Sequence, residues 1–289
     1  MKPDFPQCIN AIDWLPSPGP ALARMLEVLR EDQACAATLE RIIRCDPVLC
    51  AQVLRVANCA FYGCRGEINT VARAIVILGT AEIRNICLSL CVLDQFPPVA
   101  MSASFDHACF WRHALLTGLI AEDIARRTSW MDREDAYLLG LLHDLGRLVM
   151  AAYLAEEYES ATALAASRGI PLYEAERELG LTHTDVGAWL GLRWAFPDRI
   201  RVALSKHHDP PGAPESDRDA VLVGMADSLA QWIAPTHASF PRPPASVEVA
   251  VLTGSGPEEF FTQLQAYQTL AARVDALWEA LNGARRMNP

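Results

Sequence analysis

Between Ala136 and Tyr153 the chain is almost wholly apolar, yet the run contains His143, Asp144 and Arg147. An apolar stretch of that length belongs in a core, where every ionisable group needs a partner to offset its desolvation. The fold must therefore bring compensating groups to that point. Candidates stand on both sides of it. Five histidines fall between 113 and 208, namely His113, His143, His183, His207 and His208, and Asp227 follows them. Neutral imidazole with carboxylate is the donor set that suits zinc, iron, manganese or nickel. Taken singly, each residue has an ordinary reading: His113 as a hydrogen-bonded core histidine, Asp227 as a helix aspartate. His207-His208 would favour positive charge at a helix end. One shared metal centre satisfies them all together. If 136–153 is a single helix, His143 and Asp144 point about 100° apart, and an ion over the edge between them can take a ligand from each. His107 and His237 are read as solvent-facing.

The rest of the chain reads as helices, with strand signals scarce. Leu22, Met25, Leu26 and Leu29 form one stripe after a Pro-rich leader. Asp46-Pro47 reads as an N-cap with proline in the first turn, opening a helix that breaks near Tyr62-Gly63. Thr70 begins another that stops at Leu78-Gly79, and a longer one runs on through Leu90. Further helices are expected over 105–127, 136–153, 156–168, 171–179, 184–195, 198–207 and 218–233. One short strand, Val247 to Leu252, and a capping box at Ser255–Glu258 precede a final amphipathic helix. In that helix Phe260, Leu264, Tyr267, Leu270, Val274, Leu277 and Leu281 recur at three- and four-residue steps. The fold class is all-α. We divide the chain into an N-terminal helical subdomain (1–98), a helical metal-site subdomain (99–234), and a Pro-rich connection with the C-terminal helix (235–289).

Composition narrows the partners. Hydrophobic residues make up 51% and charged residues 21%, which excludes wholesale disorder. A net charge of −10 gives no bulk attraction for phosphate backbones or anionic lipid, so neither nucleic acid nor membrane is expected as a partner. All nine cysteines lie in the first 110 residues, an odd number without a CxxC pair. With no apolar signal segment at Met1–Phe5 and no span-length apolar run, these thiols point to a reducing cytoplasm and not to a disulfide framework.

The order His113…His143-Asp144…Asp227 resembles the HD superfamily of metal-dependent phosphohydrolases. The N-terminal text is closer still to one branch. Leu15-Pro-Ser-Pro18, Ile43-Ile-Arg-Cys-Asp46-Pro47, Leu54-Arg-Val-Ala-Asn58-Cys-Ala-Phe-Tyr62-Gly63 and Ala74-Ile-Val-Ile-Leu78-Gly79 look like the HDOD domain. So do Phe110-Trp-Arg-His113, Gly140-Leu-Leu-His143-Asp144-Leu-Gly146 and His183-Thr-Asp-Val-Gly187-Ala. The resemblance covers roughly residues 12–210. It implies a helical bundle related to the HD-GYP phosphodiesterases and found in bacterial signalling proteins, often as a regulatory module that has lost catalytic residues.

Against the HD-GYP ligand set, His113, His143, Asp144, His183, His207, His208 and Asp227 occupy ligand-like positions, with Asp144 as the bridging carboxylate. The resemblance thus implies two divalent transition-metal ions (Fe, Mn, Ni or Zn). The family's catalytic lysine is Arg147 here, which keeps the charge and changes its geometry. An acidic ligand of some relatives is Cys109, read as a buried apolar thiol with thiolate ligation as the alternative. The Gly-Tyr-Pro motif is absent, the chain reading Asp209-Pro-Pro-Gly-Ala-Pro after His208. Glu174, Glu176 and Glu178 match a glutamate-rich HDOD segment and are read as solvated helix surface. Asn58 and Tyr62 are read as capping and packing residues.

These features imply a cytoplasmic HDOD-type signalling or regulatory protein that keeps its metal site. It would answer to a signalling protein or a small phosphorylated ligand, and the final helix offers a way to pair with a second copy. The alternative is an active phosphohydrolase or phosphodiesterase with Asp144 and Arg147 as catalytic residues. A di-iron oxygenase and a metal-free interaction scaffold are the remaining readings.

Overall fold

The structure is a computed structural model and describes residues 17–30, 35–98, 101–208, 217–235 and 257–285. The start of the Leu15–Pro18 motif, the loop at 209–216, His237, the expected strand at 247–252 and the cap at Ser255 lie outside the described residues. Among the described residues all repeating secondary structure is helical. The chain divides into two compact units.

The first unit takes in the described residues 17–97 and 272–285. It contains α1 (Pro20–Arg30), α2 (Ala36–Arg44), α3 (Pro47–Ala57), α4 (Val71–Leu78) and α5 (Thr80–Gln95). Helix α3 starts where the sequence says it should, with Asp46 accepting from the Val48 and Leu49 amides at 3.0 and 3.1 Å. Replacing Asp46 with alanine should cost about 1 kcal/mol of stability. Denaturant melts that coincide for the two proteins would remove that cap from the explanation. At the other end of α3, the Asn58 amide donates to the Leu54 and Ile68 carbonyls at 2.8 and 2.7 Å and accepts from the Ile68 amide at 2.8 Å. One side chain thus ends the helix and fixes the following loop.

The second unit spans the described residues from 98 to 271. Its helices are α6 (His107–Thr128), α7 (Arg133–Leu142), α8 (Leu145–Tyr153), α9 (Ala155–Arg168), α10 (Leu172–Leu179), α11 (His183–Arg193), α12 (Asp198–Lys206) and α13 (Arg218–Ile233). Helix α6 packs along α7 and α13, while α11 packs on α8 and α12. The final helix, α14 (Pro257–Arg285), is divided between the units after Ala271. Its Leu264 and Tyr267 are buried in the second unit, and Val274, Leu277, Trp278 and Leu281 in the first. The Tyr267 hydroxyl donates to Asp123 of α6 at 2.8 Å.

Most helix ends fall within two residues of the sequence expectation, but two expectations fail, the first being that α3 reaches Tyr62-Gly63: it ends at Ala57, where Asn58 caps it. The run 136–153 is not one helix. It breaks at His143 and Asp144, which close α7 and open α8. Just beyond the break the first turn of α8 runs against the start of α11. A Cβ added to Gly146 would overlap the His183 carbonyl oxygen. Gly224 of α13 makes an equally close approach to the His207 carbonyl. Both glycines thus back onto histidines that the sequence singles out as metal-facing.

Among the described residues no single helix is long and apolar enough to cross a membrane; two helix pairs match that composition only across a sharp bend.

Candidate metal centre

Six elements each bring one part of a buried cluster. His113 comes from the middle of α6 and Asp227 from the middle of α13. His143 and Asp144 occupy the break between α7 and α8, and their side chains converge to 3.5 Å between Nε2 and Oδ2. His183 is the first residue of α11. Its position is fixed by a reciprocal cap, in which Thr182 accepts from the Asp185 amide and Asp185 accepts from the Thr182 amide, both at 3.1 Å. His207 and His208 follow the last turn of α12. All seven residues singled out in the sequence as metal-facing therefore come together. Six are nearly inaccessible, and His208 alone is half-buried.

Asp144 sits at the centre and faces two sets of donors. Its Oδ2 lies 4.0 Å from His113 Nε2 and 3.5 Å from His143 Nε2. Asp227 Oδ1 completes that side, at 2.9 Å from His113 Nε2 and 3.6 Å from His143 Nε2. The other oxygen, Oδ1, lies 3.3 Å from His183 Nε2 and 3.6 Å from His207 Nε2. His208 Nε2 joins this second side at 3.1 Å from His183 Nε2. Two groups of donor atoms, His113–His143–Asp144 and His183–His207–His208, are each tight enough to share one ion.

The hydrogen bonds of the rings support metal ligation. His143 Nδ1 donates to the Gly140 carbonyl at 2.6 Å, His207 Nδ1 to the Ala203 carbonyl at 2.9 Å, and His183 Nδ1 to Glu176 Oε2 at 2.5 Å. In its neutral form each ring turns an Nε2 lone pair inward. His143 Nε2 is buried and makes no hydrogen bond. His183 Nε2 and His207 Nε2 face each other at 3.2 Å. Two lone pairs at that distance repel unless a cation or a proton lies between them. Donor atoms about 2.1 Å from a common ion stand roughly 3.0–3.4 Å apart, so the residues present fit a transition metal.

The charges of the two carboxylates and of the His207–His208 pair agree with that assignment. Burial opposes ionisation of Asp144 and Asp227, but the surrounding histidines, with Arg147 beside Asp144, hold both carboxyls well below the usual carboxylate range. Burial, helped by neighbouring imidazoles, pushes His207 and His208 down and keeps them neutral. His143 and His183 face carboxylates and are raised despite their burial.

Arg147 is engaged. Its Nη1 donates to Asp144 Oδ2 at 2.7 Å, its guanidinium lies 5.9 Å from the Phe110 ring centre, and the residue is 5% exposed. Cys109 lies outside both donor groups. Burial pushes its thiol up, away from the thiolate a ligand needs.

Glu176 requires a correction. Expected on the solvated surface with Glu174 and Glu178, it is 0% exposed, while those two are exposed. Its Oε2 accepts from both the His183 ring and the His183 backbone amide, the latter at 2.9 Å. The signal was present: Leu172, Glu176 and Leu179 fall on one face of α10, so Glu176 stands where an apolar residue belongs. Tyr173, one turn away, stacks on His208 with ring centres 4.1 Å apart.

Fold and site together define an all-helical domain built round a buried histidine–aspartate cluster. The HDOD domain profile matches residues 15–210, and the chain belongs to the HDOD domain family. It is 26% identical over 229 residues to an uncharacterised protein of Treponema pallidum (strain Nichols), a match covering 78% of this chain and 44% of that one. The chain thus spans less than half the length of that curated relative. Its fold is similar to the crystal structure of an HDOD domain protein from Geobacter sulfurreducens, with a TM-score of 0.80 at 23% identity over 94% of this chain and 96% of the other. It is also similar to a protein of Marinobacter aquaeolei VT8 that is provisionally named for signal transduction. That match has a TM-score of 0.79 at 22% identity and covers 92% and 60% of the two chains.

Proposed function

We propose that this chain is a regulatory HDOD protein whose cluster holds two divalent transition-metal ions bridged by Asp144, and that it responds to a small phosphorylated ligand or a partner protein. The observation that carries this reading is the position of Asp144, with one carboxylate oxygen toward each donor group. His113, His143 and Asp227 would hold the first ion; His183, His207 and His208 would hold the second. Bound there, the ions supply Lewis acidity toward phosphoryl oxygens and a lowered pKa for coordinated water. His208 and Tyr173 form the half-buried side of the cluster, where a ligand can approach. Arg147 favours regulation over turnover: its guanidinium is buried in the core, with Nη1 on Asp144.

The second reading, hydrolysis of a phosphoester, draws on the same bridging carboxylate, since a two-ion clamp is also the arrangement of metal-dependent phosphohydrolases. One experiment separates the two. Manganese-loaded and chelator-stripped protein are presented with nucleotides, cyclic dinucleotides and phosphomonoesters, and both thermal shift and turnover are recorded. We expect a stabilising shift by at least one compound that requires metal, with no turnover above the stripped control. Turnover that needs metal and vanishes in Asp144→Asn would replace regulation by hydrolysis. Loaded protein that none of these compounds stabilises would remove the phosphorylated ligand.

A further inference from the structure

The two halves of the cluster differ in charge. The His113–His143 side has two carboxylates of its own, Asp144 Oδ2 and Asp227, within 4.0 Å of its ring nitrogens. The side made by His183, His207 and His208 has three imidazoles and only the shared Asp144 Oδ1. A dication there would be balanced by half a carboxylate. The missing charge stands one residue further out. Glu176 is completely buried and grips His183 twice, at the ring Nδ1 (2.5 Å) and at the backbone amide (2.9 Å). Its second oxygen, Oε1, is buried without a hydrogen bond. A carboxylate is costly in such a place unless it is paired. His183 is the ring best placed to transmit it, because its Nε2 lies close to Asp144, His207 and His208 at once.

Resting on the reading of a two-ion site, we infer that Glu176 is a positioning residue that sets the affinity of the His183–His207–His208 position for its metal, and leaves the other position unchanged. A carboxylate behind a ligating imidazole fixes the ring, selects the tautomer with Nε2 free, and makes that nitrogen a stronger donor. Losing such a partner typically costs roughly 10–100-fold in metal affinity. Among the described residues no comparable carboxylate backs the His143 ring, which is held by a neutral carbonyl.

The test is a zinc titration of stripped full-length protein against a competing chelator, for wild type, Glu176→Gln and Glu176→Asp, beside melting of each metal-free form. Gln keeps the shape and both hydrogen bonds but removes the charge; Asp keeps the charge at a shorter reach. The first ion should bind all three proteins within about 2-fold, and the second should bind Glu176→Gln about 10–100-fold more weakly than wild type. Glu176→Asp should fall between them, and the metal-free melts should agree within a few degrees. Equal weakening of both ions, equal loss in Gln and Asp, or a Gln variant that folds only with metal would each make Glu176 merely structural and overturn the inference. Two ions held by Glu176→Gln at wild-type affinity overturn it alone. A wild type that binds no second ion overturns the two-ion reading as well.

Discussion

Replacing Asp144 with alanine should release both ions and destabilise the fold by about 3–5 kcal/mol. Asp144 turns one oxygen toward each donor group, so without it neither half keeps its bridging ligand. The protein without metal also suffers, because Arg147 would remain 5% exposed with its carboxylate gone. Removing one partner of a buried pair leaves the other charge uncompensated, and that penalty exceeds the net worth of the pair. The pH dependence has a definite sign. A carboxyl whose folded pKa is depressed contributes stability that is complete above the unfolded value, about 3.9, and is lost as pH falls through the folded one. Asp144 and Asp227 are both depressed. The wild type should therefore lose stability steeply below about pH 4, and the Asp144→Ala variant less steeply. Urea melts at pH 7 and pH 3.5 measure both effects. A variant as stable as wild type at pH 7 would mean that Asp144 is not the buried centre of charge.

The second large effect should come from a residue with no side chain at all. Gly146→Ala would drive a methyl group into the His183 carbonyl, backbone against backbone, with no flexible group between them to yield. Such overpacking typically costs about 1–3 kcal/mol, and sometimes more. Here the displacement is also aimed at the site: Gly146 lies two residues beyond Asp144, and the atom it meets belongs to His183. We expect a lower melting temperature together with loss of the ion shared by Asp144, His183, His207 and His208. Gly224→Ala should do the same through the His207 carbonyl. If Gly146→Ala melts and binds metal like wild type, the close approach of α8 to α11 does not position the site.

Much of this was legible because ionisable residues interrupted apolar runs. His143 and Asp144 demanded partners, and the histidines and aspartate that met the demand were the residue types that metals select. The helix boundaries were legible from caps such as Asp46 and Thr70, whose side chains accept the amides expected of them. Two things were not. The break at His143-Asp144 was hidden because the apolar residues on either side are continuous, and no glycine or proline stands at the break itself. Just beyond it Gly146 meets His183, which is 37 positions away in the chain. Glu176 was masked by its neighbours: three glutamates at alternate positions read as one charged surface, and that reading outweighed the Leu172–Glu176–Leu179 spacing that marks the middle one as inward. Arg147 was legible as a charge in the site, but its burial against Phe110 and its commitment to Asp144 are tertiary facts.

The most direct measurement is the metal content of untagged protein, dialysed after loading with a divalent transition metal, for wild type, His113→Ala and His208→Ala. His113 faces only the first donor group and His208 only the second. The predicted result is about two ions per chain in wild type and about one in each variant, as a two-ion centre with separable halves requires. Folded wild-type protein that retains no metal, or variants that retain as much as wild type, would contradict it.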